Sequence, residues 1–196
     1  MKFRPAPIFE IVRLIDLQPP GETGFCMLVA SSAATEFVSE LREELDLQIA
    51  GSLGLIEVAE LTAIALLDQL RTGGDAVVLM AGFDRWGDSQ FVALDVNRSR
   101  LDTGAFLIFH VDLKTAGRFL DHAPNIRSFL GPNIFAPVPD TSSMGPREIS
   151  DRLNQLRTHY GMSDAEVIDR AAKNDLPAEP DFIEWLVLLG RSELVL

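Results

Sequence analysis

Phe25-Cys26-Met27-Leu28-Val29-Ala30 is an unbroken apolar run, and its reading decides the fold. It is too short for a core helix, and it fits a strand whose two faces are both covered. The same signature recurs at Ala76-Val-Val-Leu-Met-Ala81 and at Phe106-Leu-Ile-Phe109. The segments between these runs follow the helical period. Residues 35–47 place Phe37, Val38, Leu41 and Leu45 on one face, with Glu36, Glu40, Glu43 and Glu44 opposite. Gly51-Ser-Leu-Gly54 reads as a breaker, and a helix over 58–71 is closed by Gly73-Gly74. Further helices are predicted through Phe91, Leu94, Val96 and Leu101, and from Asp112 onward with Leu113, Ala116 and Leu120 inward. Pro124 interrupts that chain before a short turn through Phe129. Prolines confine the extended segment at 133–139 to an edge or a strand end. Residues 8–17 carry Ile8, Ile11, Val12 and Ile15 at helical spacing and are assigned to a helix, although their β-branched content also suits a strand. Strands alternating with helices predict a three-layer α/β fold, a mostly parallel sheet flanked by helices.

Beyond Asp140 the pattern changes. Thr141-Ser-Ser-Met-Gly-Pro146 is turn-rich, and the remainder of the chain reads as helical. Pro146 suits the first turn of a helix, and Ser163 with Glu166 forms a capping box that opens a second. Residues 182–189 form a third, apolar nearly all round and closed by Gly190. The expected division is an α/β body over 1–140 and a small helical appendage over 146–196.

Of 196 residues, 47% are hydrophobic and 23% charged, a composition that supports a packed core rather than disorder. Lys and Arg number 17 against 29 Asp and Glu, a net charge of −12. Such a surface opposes nucleic acid and anionic membranes as partners. No apolar stretch approaches the roughly 20 residues needed to span a bilayer, and no export signal is read, so the cytoplasm is the expected location. A single cysteine, Cys26, excludes an internal disulfide, and His110, His122 and His159 are too scattered for a metal motif. Neither a metal nor a cofactor is expected.

An open α/β sheet takes its ligand beyond the carboxyl end of a strand, which draws attention to the turn after Ala30. That turn, Ser31-Ser-Ala-Ala34, has no glycine, and none of Lys2, Lys114 and Lys173 follows a strand at phosphate-loop spacing. Ser31, Ser32 and Thr35 are the candidate ligand contacts there, with helix capping the plainer role for the serines. A nucleophilic triad of Ser31 or Ser32 with His110 and Asp84 or Asp112 is conceivable at the strand ends, without the Gly-x-Ser-x-Gly elbow that exposes such a serine. The turn Phe83-Asp-Arg-Trp86, with Trp185 in the apolar tail helix, supplies aromatic and arginine side chains of the kind that anchor interfaces. Phe83, Arg85, Trp86 and Trp185 are therefore the candidate partner contacts.

The order of segments, with Leu94-Asp-Val-Asn-Arg98-Ser-Arg-Leu101 and Ala123-Pro-Asn125, resembles the P-loop NTPase-like modules of bacterial STAND-type and conflict-system proteins, in versions that have lost the phosphate loop. That family carries a "Leu-Asn-x-x-Arg-x-x-Leu" helix, an apolar strand and an "Ala-Pro-Asp" turn. The resemblance covers roughly residues 20–139. It implies a non-catalytic nucleotide-binding-like fold used for recognition or regulation, and it places Asp84 where such a module's Walker B acid would lie. The expected function is a non-enzymatic adaptor or regulatory subunit that binds another protein in a bacterial defence or signalling system. A non-hydrolysing nucleotide-binding module and a small serine hydrolase are the alternatives.

Overall fold

The computed structural model describes residues 3–30, 39, 41–45, 52–142, 144–177 and 179–195. Its centre is the pair β2 (Gly24–Val29) and β5 (Phe106–Val111), in register from Gly24 opposite Phe106 to Val29 opposite Val111. Beside β5 lies β4 (Val77–Ala81), and β3 (Leu53–Glu57) forms the edge beyond it. On the other side of β2 come β6 (Ile134–Pro137) and β1 (Arg4–Ala6). The sheet order is β1-β6-β2-β5-β4-β3, and every pairing is parallel. β4 and β5 are buried at every position, as strands covered on both faces must be.

Strand β3 departs from the sequence reading. It takes in Leu53 and Gly54 of the segment read as a breaker and runs on to Glu57; at Gly54, in this edge strand, the Asp75 carboxylate occupies the space that a Cβ would need. The helix read from residue 58 accordingly begins only at Ala63. Of the two places that the prolines of 133–139 allow, an edge or a strand end, β6 takes the second and lies inside the sheet. Its proline, Pro137, is the last residue of the strand, and the three-residue β1 covers its outer side. β1 itself is too short, and too dominated by Pro5, to register in the sequence.

The connections take opposite faces. Helix α2 (Ala63–Thr72) joins β3 to β4, and α3 (Asp88–Val96) joins β4 to β5. Helices α4 (Leu113–His122) and α5 (Pro124–Leu130) join β5 to β6. Leu66, Leu67, Phe91, Leu94, Phe119 and Ile126 from these four helices share one core with Met27, Met80 and Phe109. On the other face α1 (Ile8–Asp16) contributes Ile11, Val12 and Ile15 to a core with Cys26, Leu28, Leu79 and Ile108. Residues 41–45 are helical and bury Leu41 and Leu45 in that second core. Three layers result. The steps β3→β4→β5→β6 run across the sheet in one direction over the first face. The connections β1→β2 and β2→β3 run back over the other, as right-handed crossovers require.

Asp95 ties two distant segments of the first layer together. It is buried on α3, its Oδ1 accepts from the Asn125 and Ile126 amides at 3.0 and 2.9 Å, and its Oδ2 accepts from Asn125 Nδ2 at 2.7 Å. These amides are the otherwise unpaired donors of the first turn of α5, where Pro124 has no N–H to satisfy. Asp95 thus caps a helix from another helix, and Leu94-Asp95 and Ala123-Pro-Asn125 become one structural unit.

Beyond residue 145 come α6 (Pro146–Tyr160), α7 (Asp164–Ala172) and α8 (Pro180–Leu188). The capping box read at Ser163 and Glu166 is present. Leu153, Leu156, Val167, Phe182, Trp185 and Leu186 make a third core among these helices. Polar staples reinforce it. Arg152 binds Glu184 through two bonds of 2.6 and 2.7 Å. Asp164 accepts from Arg157 at 2.9 Å and from Trp185 Nε1 at 3.0 Å. Helix α8 reaches the α/β body through Ile183 and Val187, which join the first core.

Asp95→Ala leaves two helix-terminal amides without an acceptor and should cost about 2–4 kcal/mol in denaturant unfolding, since bonds to a charged acceptor contribute about 1.5–3 kcal/mol each and part is recovered by solvent. Asp95→Asn keeps an acceptor for both amides and should retain most of that stability. Equal losses in the two variants would mean that Asp95 acts by charge and not by capping.

Candidate functional site

Adjacent strands β2 and β5 send their following connections to opposite faces, which opens a crevice between their carboxyl ends. The Ala30 amide still donates to Val111 O at 3.0 Å, so the strands separate only beyond that bond. Around this point a cavity of about 460 Å3 is lined by Ala30, Glu57, Gly82, Asp84, His110 and Asp112, among others. A second, of about 390 Å3, shares Ala30 and Asp112 and continues to Lys114, Tyr160, Glu179 and Asp181. The carboxyl edge is therefore bounded by residues from four strand ends and from the helical tail.

Phe83, Asp84 and Arg85 form a single 3-10 turn after β4, entered through Gly82 at φ 89°. Only glycine fits there, both because of that φ and because a Cβ would collide with the Glu57 carboxylate. Phe83 and Trp86 point inward, 1% and 2% exposed, and meet edge to face with ring centroids 5.0 Å apart. Phe83 also lies 5.8 Å from Phe119 and 5.9 Å from Phe109, and Trp86 lies 5.7 Å from Phe91. Trp86 Nε1 donates to Val58 O at 2.8 Å, which fastens the turn to the end of β3. Arg118 donates to Trp86 O at 2.7 Å and to Asp88, while its guanidinium stands 5.5 Å from the Phe91 ring centroid. The Arg118 bond holds the Asp88 carboxyl below the usual carboxylate range.

This corrects three of the expected partner contacts. Phe83 and Trp86 are the plug beneath the turn, and Trp185 is wholly buried in the core of the tail, so none of the three offers a surface to a partner. What the plug presents outward is Asp84 and Arg85, whose side chains are 56% and 75% exposed and lie 3.7 Å apart. Of the other expected ligand contacts, Ser31, Ser32 and Thr35 lie outside the described residues, and so does the nucleophile of the conceivable triad.

His110, opposite Leu28 in the sheet register, is buried. Burial lowers its pKa below the ordinary value, so its imidazole is neutral at pH 7. Asp112 is occupied as the cap of α4, accepting from the Thr115 amide at 2.6 Å. The Tyr160 hydroxyl lies 2.9 Å from Asp181 Oδ2 and 3.2 Å from Glu179 Oε2. Burial and these carboxylates push its pKa well up, so it remains a donor. Cys26, buried in the second core, has its thiol pushed far up by burial and is inert. Arg100 pairs with Asp68, and Arg98 donates to Asp95 O at 3.3 Å, so both arginines serve local packing. Among the described residues, no group of three His, Cys, Asp or Glu is placed to hold a metal ion, and no helix is long and apolar enough to cross a membrane.

Glu57, Glu179 and Asp181 were not legible as site residues. Glu57 ends a strand that the sequence hides, and the other two reach the crevice only because α8 docks on the body. No protein-family model matches the chain, and no curated protein matches it by sequence.

Trp86→Ala should cost about 3–5 kcal/mol, the usual penalty for emptying a large aromatic site, and lower Tm by about 10 °C. Asp84→Ala should stay within about 0.5 kcal/mol of the parent, as exposed positions do. A thermal melt of the two variants separates plug from rim. Because folding depresses the His110 pKa, protons bind the unfolded chain more readily. Stability from this group is intact above the unfolded value near 6.5 and declines as pH falls toward the depressed folded value. His110→Leu should flatten the pH dependence of unfolding below pH 6.5, and an unchanged profile would remove His110 as its source.

Proposed function

We propose that this protein is a non-enzymatic adaptor or regulatory module that receives a basic segment of another protein at the carboxyl edge of its sheet. The observation that carries this reading is the charge of that edge. Glu57, Asp84 and Asp112 line the larger cavity, and Arg85, which also lines it, already lies against Asp84. The net charge of −12 adds a long-range field of the same sign, which steers basic partners and speeds their encounter. A polyphosphate would meet repulsion at the same rim, so the nucleotide-binding alternative is the weaker of the two. The rim is exposed while its support is rigid, the division expected where loops recognise and a scaffold positions them.

The bacterial defence or signalling setting, and descent from a P-loop NTPase-like module without its phosphate loop, rest on the motif resemblance. The Asp95–Asn125 link supports that resemblance to the extent that it explains why two short motifs should occur together. Nothing in the described part of the crevice favours the hydrolase reading.

The test is co-purification from the native cell with the full chain as bait, beside a Glu57→Lys/Asp84→Lys variant. The expected result is a stoichiometric partner with a basic segment, whose recovery falls at least about tenfold in the variant while Tm moves by no more than about 2 °C, as surface substitutions allow. Undiminished recovery by the variant would overturn the proposed edge. A Tm rise of several degrees in the parent with millimolar Mg-nucleotide, and no partner, would favour the nucleotide reading instead.

A further inference from the structure

We propose that helices α6–α8 form a lid, hinged at residues 139–142, that closes over the carboxyl-edge crevice. Four features of the structure lead there. The lid has its own core, with Leu153, Leu156, Val167, Phe182, Trp185 and Leu186 packed on one another rather than on the sheet. Its staples Arg152–Glu184, Arg157–Asp164 and Trp185–Asp164 close between lid helices, so these bonds survive if the unit moves as a whole. The latch is apolar: Ile183, with the partly buried Val187 and Val195, belongs to the core of the body, where α8 packs beside β6. Between the lid and Val138, which is buried in the body and donates to Ala6 O at 3.1 Å, residues 139–142 carry neither helix nor strand.

The seam carries a groove at the surface. A cavity of about 390 Å3 remains there, lined by Ala30, Asp112, Leu113 and Lys114 of the body and by Tyr160, Glu179, Pro180 and Asp181 of the lid. This groove is open to solvent, so the body and the lid are not packed on each other along this part of the seam, as suits an element that opens locally. The charges at the seam act in the same direction. Asp112 of the body faces Glu179 and Asp181 of the lid, with Lys114 as the cation among the described lining residues. Like charges oppose closure at low ionic strength, and added salt screens them. Swinging the lid away lengthens the crevice toward α4, leaves the lid core intact and withdraws only Ile183 and its neighbours from the core of the body.

Native-state thiol labelling of the full chain tests this without any partner, so its outcome is independent of the recognition reading. Ile183→Cys places a thiol in the latch, Leu186→Cys places one in the lid core, and the natural Cys26 reports opening of the body. After correction for the rate of each thiol in the unfolded chain, Ile183→Cys should label at least about tenfold faster than Leu186→Cys or Cys26, the mark of local rather than global opening. That rate should fall as NaCl is raised from about 20 mM to about 0.5 M, where the Debye length shrinks several-fold. Val187→Cys serves as a second latch thiol if Ile183→Cys fails to fold. Latch thiols that label no faster than Leu186→Cys would overturn the proposal, because the lid would then open only by unfolding. Latch labelling that is fast but quickens with salt would overturn the electrostatic bias, while the margin over Leu186→Cys would still support the lid.

Discussion

The constraint on which the structure depends is the double burial of its central parallel strands. β4 and β5 have no face that water can share, so apolar layers must be supplied on both sides of the sheet. A chain with right-handed crossovers can reach both sides only by reversing its direction across the sheet. It does so at the edge strand β3, from which β4, β5 and β6 step back across the sheet over the opposite face, the last two to either side of β2. The crevice between the carboxyl ends of β2 and β5 is the geometric consequence. Packing, rather than any demand of a ligand, decides where the loops converge.

The same division between support and display holds within the rim. The turn after β4 is short because Gly82 allows the chain to double back over Glu57, and it is rigid because Phe83 and Trp86 are sunk among Phe91, Phe109 and Phe119. Aromatic pairs of this kind contribute about 0.5–1.5 kcal/mol each beyond the area they bury. That rigidity fixes Asp84 and Arg85 at the mouth of the cavity. Interface propensity and core propensity belong to the same residue types, so Trp86 and Trp185 carry both signals at once. Only their surroundings distinguish the two.

The helical tail adds a second layer of control over the same crevice. A unit with its own core and its own ion-pair staples can change its position without first unfolding. The acidic carboxyl edge and the partly acidic cap over it are two expressions of one charge distribution. Neutralising it with a cationic partner and screening it with salt act on the same carboxylates.

Strands β2, β4 and β5, the parallel α/β class, the helix over 8–16 and the capping box at Ser163 were legible in the sequence, because each is set by local periodicity or by contacts within a few residues. Asp112 as a helix cap belongs with them. Strand β3 was not, because an edge strand with Gly54 in it has half-exposed positions and no clean alternation. Nor was β1, whose three residues become a strand only when β6 supplies a register. Tertiary structure alone decided that the segment bounded by prolines lies inside the sheet, that Asp95 caps a helix some thirty residues away, and that Phe83, Trp86 and Trp185 face inward. It also brought Glu57, Asp112, Glu179 and Asp181 around one crevice. The physical reason is common to all of these. Burial and through-space charge depend on which segments become neighbours, and that depends on the crossover path, which no local pattern encodes.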